Sequence, residues 1–267
     1  MSLLDAPYPV SDEQIGHFAD RGWVHLPALL DAATVQRILR ELDAGAELVK
    51  PTSTERWMTA SDYSKVLRSH DGMAWKQPFF HVLGTSARLT SAALRLMRIE
   101  DGLFIHDMSF IKPGCSAGGG LPTPYHQDYP HWPFDRVGAI TVWVALTDLD
   151  PETGPLRFLG GSHREPPLGR FSRAVGDDMR EAYPHLADRY PVEGGQRLAA
   201  GDATVHTDLT IHGSGPNTTT ATRAAYTARY LPTDVLYTGS PHRHFDAFGL
   251  TPGESFAQSA AVPRVRL

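Results

Sequence analysis

Tyr125-His126-Gln127-Asp128 is the stretch whose reading decides what kind of fold this chain needs. On an extended strand, residues two apart leave the same face, so His126 and Asp128 would set an imidazole beside a carboxylate. Together they make two of the three ligands of a 2-His-1-carboxylate facial site, the arrangement that holds non-heme Fe(II). Alone, the tripeptide reads better as a surface histidine next to a turn aspartate. It becomes a site only if a distant strand returns a second histidine.

Two histidines compete for that place. His212 sits in Thr210-Ile211-His212-Gly213-Ser214-Gly215-Pro216-Asn217, a strand running into a turn, and Arg223 follows eleven residues later. If the Gly-Pro-Asn turn folds the chain back, Arg223 points into the same cavity as His212. A buried guanidinium needs an anionic partner, and a carboxylate held bidentately is the natural one. Ser214, two residues past His212, shares its face and can donate a hydroxyl. The rival, His206, lies four residues past Asp202 and has no arginine at a matching distance, so it reads as structural.

Working outward, Ser11-Asp12-Glu13-Gln14 reads as a capping box opening a helix with Ile15, Phe18 and Ala19 on one face, ended by Gly22. Trp23-Val24-His25-Leu26 predicts a short strand. Asp31 can cap a second helix whose Val35, Ile38, Leu39 and Leu42 have i, i+3, i+4, i+7 spacing. Residues 50–80 read as irregular and aromatic, and a third helix is expected around 86–97. Residues 102–112 predict a strand and 113–124 a Gly- and Pro-rich loop. Ile140 to Leu146 is the clearest strand, β-branched and aromatic. A turn over 148–154, a strand over 155–159, a partly helical connection over 165–190 and short strands over 192–237 follow. The tail, 238–267, has little periodicity. One domain over 1–267 is expected: a helical part, about 1–100, packed outside a β sandwich or barrel, about 101–240.

Composition narrows the function classes. With 41% apolar and 21% charged residues in 267, the chain can bury a sizeable core. A net charge of −5 speaks against a nucleic-acid or anionic-membrane surface. The single cysteine, Cys115, excludes an intrachain disulfide framework and suits a reducing compartment. The opening MSLLDAPYPV has neither a basic n-region nor a long apolar run, so a cytoplasmic protein without a membrane span is expected.

Taken in order, His126-Gln127-Asp128, the strand Thr141 to Leu146, Gly154-Pro155-Leu156, Gly160-Gly161-Ser162-His163, Gly201-Asp202, His212 to Asn217 and Arg223 resemble the phytanoyl-CoA dioxygenase family of Fe(II)- and 2-oxoglutarate-dependent oxygenases. Ser11 to Leu30 and Phe248 to Gly253 look like it too, so the resemblance touches nearly the whole chain. Gly160 stands where the family often has Pro. The resemblance implies a mainly β fold with a double-stranded β-helix (jelly-roll, cupin-like) core. It implies Fe(II) on His126, Asp128 and His212, and the distal carboxylate of 2-oxoglutarate on Arg223 and Ser214. Trp143, Gln127 and Met108 would line the co-substrate pocket, and O2 would be the oxidant. The implied reaction is oxidation of a C–H bond in a small-molecule substrate with release of succinate and CO2, ending in hydroxylation, ring closure, desaturation or epimerisation. A carboxylate at position 128 separates the chain from related halogenases, which generally have Gly or Ala there. Beyond scattered arginines no basic cluster suggests a site for CoA phosphates, so the expectation leans to tailoring of a secondary metabolite. Acyl-CoA hydroxylation within the same family is one alternative. A non-oxidative jelly-roll isomerase or binding protein is another, although it would have no need of Arg223 after His212.

Overall fold

Alternation along the strands sorts side chains into two layers before any distant contact is considered. The computed structural model describes residues 3–45, 68–115, 120–169, 178–242 and 244–267. The strands are β1 (Trp23–Leu26), β2 (Arg68–Asp71), β3 (Asp101–Lys112), β4 (Thr123–His126), β5 (Ile140–Ala145), β6 (Leu156–Leu159), β7 (Val192–Gly194), β8 (Ala203–Thr207), β9 (His212–Ser214), β10 (Arg223–Pro232) and β11 (Arg264–Arg266). The helices are α1 (Asp12–Arg21), α2 (Ala32–Gly45), α3 (Pro78–Gly84), α4 (Ala87–Met97), α5 (Met179–Ala182) and α6 (Pro184–Arg189). Among the described residues the strand pairings are antiparallel: a major sheet runs β1-β8-β5-β10-β3-β11 with β2 also on β3, and a minor sheet runs β4-β9-β6-β7. The two sheets are the double-stranded β-helix core expected from the sequence.

The major sheet has two chemically opposite faces. Val142 and Val144 of β5, Ala203 and Val205 of β8, and Tyr226 and Ala228 of β10 join Phe18, Val35, Ile38, Phe80 and Leu89 of the helices in one apolar core. Each large side chain buried there stabilises the fold by roughly 1.5–3 kcal/mol relative to exposure. Thr141 and Trp143 point the other way. In register, Thr141 lies between Arg229 and His206, and Trp143 between Thr227 and Thr204. The rows continue onto β3, where His106 is opposite Arg229, Met108 opposite Thr227 and Lys112 opposite Arg223. The inner face is therefore polar and charged although these side chains are mostly buried.

Local signals hold at the N-terminus. Ser11 and Gln14 form the reciprocal capping box of α1, and Gly22 ends it in the left-handed conformation. Between 68 and 80 the chain is more regular than its aromatic texture suggests. β2 pairs with β3, and Pro78 opens α3, where its missing N–H costs nothing. Trp57 and Tyr63 lie outside the described residues. The tail also contributes: β11 pairs with the start of β3, too short a run for periodicity to reveal. No described helix is long and apolar enough to cross a membrane.

Gly201-Asp202 ties the helical layer to the sheet. Gly201 donates its N–H to Ala145 O and accepts from Leu30 N, while the Asp202 carboxylate accepts from Ala28 N and Ala199 N. Gly201 has φ of +99°, and a Cβ there would stand 2.2 Å from Leu30 O, which is backbone and cannot swing aside. Gly201→Ala is expected to lower unfolding free energy by about 1–3 kcal/mol in denaturant titration, with metal affinity of the folded fraction unchanged. A neutral effect would show that the Leu30 segment moves freely.

Candidate metal centre

β4 and β9 are neighbours in the minor sheet, and their register sets His126 directly opposite His212. Their ring centroids are 4.5 Å apart. Each ring is oriented by its own backbone: His126 Nδ1 lies 2.9 Å from Pro124 O and His212 Nδ1 2.9 Å from Thr210 O. A carbonyl can only accept, so each Nδ1 carries the proton and each Nε2 keeps its lone pair. Asp128 Oδ1 stands 3.7 Å from His126 Nε2 and 4.0 Å from His212 Nε2. Among the described residues these three make a group whose candidate ligand atoms all lie within 4.8 Å of one another, and all three are buried.

The route by which Asp128 arrives corrects the strand argument. β4 ends at His126, and Asp128 has helical φ and ψ of −75° and −40° as it caps the turn Tyr129–His131. The bend, and not a shared strand face, brings the carboxylate beside the imidazole. Its second oxygen is taken: Oδ2 accepts from Arg229 Nη2 at 2.8 Å and from Thr141 Oγ1 at 3.2 Å. Burial pushes the Asp128 carboxyl up, but Arg229, His206 and His212 outweigh it and hold it well below the usual carboxylate range. One oxygen is thus committed to the major sheet and the other faces two imidazole lone pairs. This donor set fits a divalent transition metal of the Fe(II) class, with its hard anionic ligand and two neutral imidazoles.

A second charged group lies at the other end of the inner face. Arg223 is 2% exposed, its guanidinium sits 5.4 Å from the Trp143 ring centroid, and its buried Nε has no hydrogen-bond partner. Opposite it, Lys112 is fully buried and donates from Nζ to Ser214 Oγ at 2.8 Å and Gly215 O at 2.9 Å. Asn217 fixes the return of the chain, donating to Pro113 O and Ala221 O and accepting from Thr219. Arg223 opens β10 in the major sheet, and the link to the minor sheet runs through its register partner Lys112, whose Nζ reaches Ser214 Oγ. Trp143 and Met108 occupy one register row, on either side of Thr227. An unpartnered buried guanidinium fits an anionic co-substrate such as 2-oxoglutarate.

Gln127 spends its amide on backbone groups. Its Nε2 donates to Pro166 O and Leu209 O, and its Oε1 accepts from Leu168 N. With the amide committed to backbone on both sides, it braces the 166–168 loop. His206, read as structural, packs on the centre: its ring is 4.2 Å from that of His212, and its Nε2 is 3.6 Å from Asp128 Oδ2, outside hydrogen-bond length and outside the ligand group. Trp132 lies under the Arg229 guanidinium, 3.9 Å from ring centroid to Cζ, and His131 is 6.1 Å from the His126 ring. Ser162 is a brace, accepting from Ile211 N next to His212. Sequence reasoning missed Arg229 and Lys112. Period two was the available signal, since Arg229 is on the face of Arg223 and Lys112 on the face of Met108.

A family model for phytanoyl-CoA dioxygenase matches residues 18–225. A probable alpha-ketoglutarate-dependent hypophosphite dioxygenase of Stutzerimonas stutzeri is 24% identical over 84% of this chain and 79% of its own length. The ectoine dioxygenase of Halomonas elongata is 25% identical over 80% of this chain and 67% of its own. Among solved structures, the non-heme alpha-ketoglutarate-dependent carbocyclase SnoK from nogalamycin biosynthesis superposes with a TM-score of 0.80, at 22% identity over 97% of this chain and 99% of that one. The epimerase SnoN from the same biosynthesis gives 0.75 at 24% identity, over 96% and 98%.

Because Arg229 holds the oxygen that a metal would not use, Arg229→Met is expected to weaken Mn(II) or Fe(II) affinity about 10–100-fold, read by calorimetric titration, with the far-ultraviolet spectrum unchanged. Unaltered metal affinity would remove Arg229 from the centre.

Proposed function

The chain belongs to the phytanoyl-CoA dioxygenase family and is an Fe(II)- and 2-oxoglutarate-dependent dioxygenase, and on that premise we propose that it tailors a secondary metabolite. The bond attacked is a C–H bond of a small organic molecule, and hydroxylation, ring closure, desaturation or epimerisation is the outcome. The observation that carries the site assignment is the partition of Asp128, with Oδ2 tied to Arg229 and Oδ1 turned to the two imidazoles. The choice of a secondary metabolite is supported by the carbocyclase and the epimerase from nogalamycin biosynthesis, which match almost end to end.

In this reading His126, Asp128 and His212 hold Fe(II), and Arg223 and Ser214 hold the distal carboxylate of 2-oxoglutarate. Iron, 2-oxoglutarate and O2 supply the oxidising power for an unactivated C–H bond, leaving succinate and CO2. The chain's own task is orientation and exclusion of water. Arg229 and Thr141 keep Asp128 from rotating. Trp143, with Phe110 and Leu156 packed about it, makes an apolar wall beside the anion pocket, and Met108 extends it. His131 and Trp132, half-buried next to His126 and Arg229, border the space for the primary substrate. A non-oxidative isomerase would leave two buried cations, Lys112 and Arg223, without an anion to justify their burial.

The test is Fe(II)- and O2-dependent release of succinate from 2-oxoglutarate. His126→Ala and His212→Ala are expected to abolish it together with iron binding, while His206→Ala retains both. Arg223→Ala is expected to weaken 2-oxoglutarate binding about tenfold or more, the loss of charged hydrogen bonds worth about 1.5–3 kcal/mol. If iron binds and no succinate forms, or if His206→Ala is the variant that loses iron, the reading fails.

A further inference from the structure

Around Trp132 stands a wall of rings to which the chemistry at the metal gives no task. Its floor is His106 of β3, in register with Arg229 and 2% exposed, with Nε2 donating to the Asp71 carboxylate of β2. Trp132 lies on one part of this imidazole, 5.1 Å between ring centroids, and His244, which caps the turn Phe245–Phe248, lies 4.6 Å from it. Phe245 and Phe248 each stand edge-on to His244 at 5.0 Å. The charges here are balanced from within, Arg229 by Asp128 and Asp71 by His106.

Trp132 Nε1 and His244 Nε2 are buried and have no hydrogen-bond partner among the described residues. They are opposite kinds of group. An indole N–H can only donate. Trp132 is not free to swing toward an acceptor, because the Arg229 guanidinium covers its ring at 3.9 Å and Phe134 lies 12° from parallel with it. Burial first, and the neighbouring His106 second, push the His244 imidazole down to about 2, so the ring is neutral. Its hydrogen bond to the backbone of Ile105 uses the ring N–H, which leaves Nε2 a lone pair. Buried indole and imidazole nitrogens ordinarily find partners. Here a missing acceptor and a missing donor flank one imidazole, on two residues that are only half-buried and so stand within reach of a ligand.

We infer that Trp132 and His244, set on either part of His106, are specificity-determining residues for the primary substrate, and that the substrate class is an uncharged aromatic molecule carrying an oxygen that accepts from Trp132 and a hydroxyl that donates to His244. The inference rests on the proposed function and names what it oxidises. Ring edges suit an aromatic ligand, and a wall whose charges are already matched offers nothing to an ionic one. A saturated acyl chain would leave both nitrogens unpaired, and a site built to hydrogen-bond its ligand rejects an analogue without those groups.

Binding to the full chain loaded with Mn(II) and 2-oxoglutarate, which does not turn over, tests this by equilibrium dialysis. The probes are 6-acetyl-2-naphthol, its methyl ether, 2-ethylnaphthalene, which has no oxygen, and decanoate, an anionic chain. Wild type is expected to bind the naphthol about tenfold or more tighter than 2-ethylnaphthalene or decanoate. Trp132→Phe, which keeps a ring and loses the N–H, is expected to weaken the naphthol and its ether about fivefold or more and to leave 2-ethylnaphthalene within about twofold. His244→Phe is expected to weaken the naphthol by a similar factor and to leave the ether, which has no proton to give, within about twofold. No preference of wild type for the naphthol, tighter binding of decanoate, or variants that weaken all three naphthalenes alike would each overturn the inference, the last by leaving the two residues a packing role only. A protein that takes up neither Mn(II) nor 2-oxoglutarate would instead overturn the proposed function, and the inference with it.

Discussion

A carboxylate buried between two sheets has to be compensated on every side, and the treatment of Asp128 organises this molecule. Its two oxygens face different layers. Oδ2 is bound by Arg229 and Thr141 from the major sheet, and Oδ1 looks toward His126 and His212 on the minor sheet. Arg229 is itself buried and lies on Trp132, so the ion pair and the ring under it fix each other. Removing either charge would strand the other in a low-dielectric interior, a loss of about 3–5 kcal/mol when one member of a buried pair is deleted. The sheets are therefore tied together at the point where the candidate metal ligands His126, Asp128 and His212 converge, and the geometry of that group depends on sandwich geometry.

The same inner face carries a second unbalanced charge. Lys112 and Arg223 bring two cations where the outer face of the same strands brings Ile111, Ala224 and Tyr226 into an apolar core. A sequence whose only requirement was stability would fill both faces with hydrophobic residues. Natural chains break local consistency chiefly where function demands it, and here both departures lie along one line of the inner face, Asp128 with Arg229 at one end and Lys112 with Arg223 at the other.

Much of this was legible beforehand because it is local. The Ser11 capping box, the Gly22 stop and the β-branched run at 140–145 each depend on a few neighbouring residues. The turn after His212 was legible because Gly-Pro-Asn marks it, and Asn217 braces it. The rest needed the third dimension. Asp128 reaches His126 through a helical bend that a two-residue spacing cannot distinguish from a strand. Gln127 turns its amide into the 166–168 loop because three backbone groups compete for it, and none is near it in sequence. Arg229 and Lys112 sit on strands whose apolar content conceals them, and only cross-strand register reveals what they oppose. β2 and β11 are runs too short to carry a period; they form because the long β3 offers them an edge.

A crystal structure of the protein grown anaerobically with Fe(II) and 2-oxoglutarate tests the account most directly. The account predicts iron bound by His126 Nε2, Asp128 Oδ1 and His212 Nε2, with Asp128 Oδ2 still on Arg229. It also predicts the distal carboxylate on Arg223 and Ser214. Iron on His206, or a 2-oxoglutarate distal carboxylate that leaves Arg223 untouched, would contradict it.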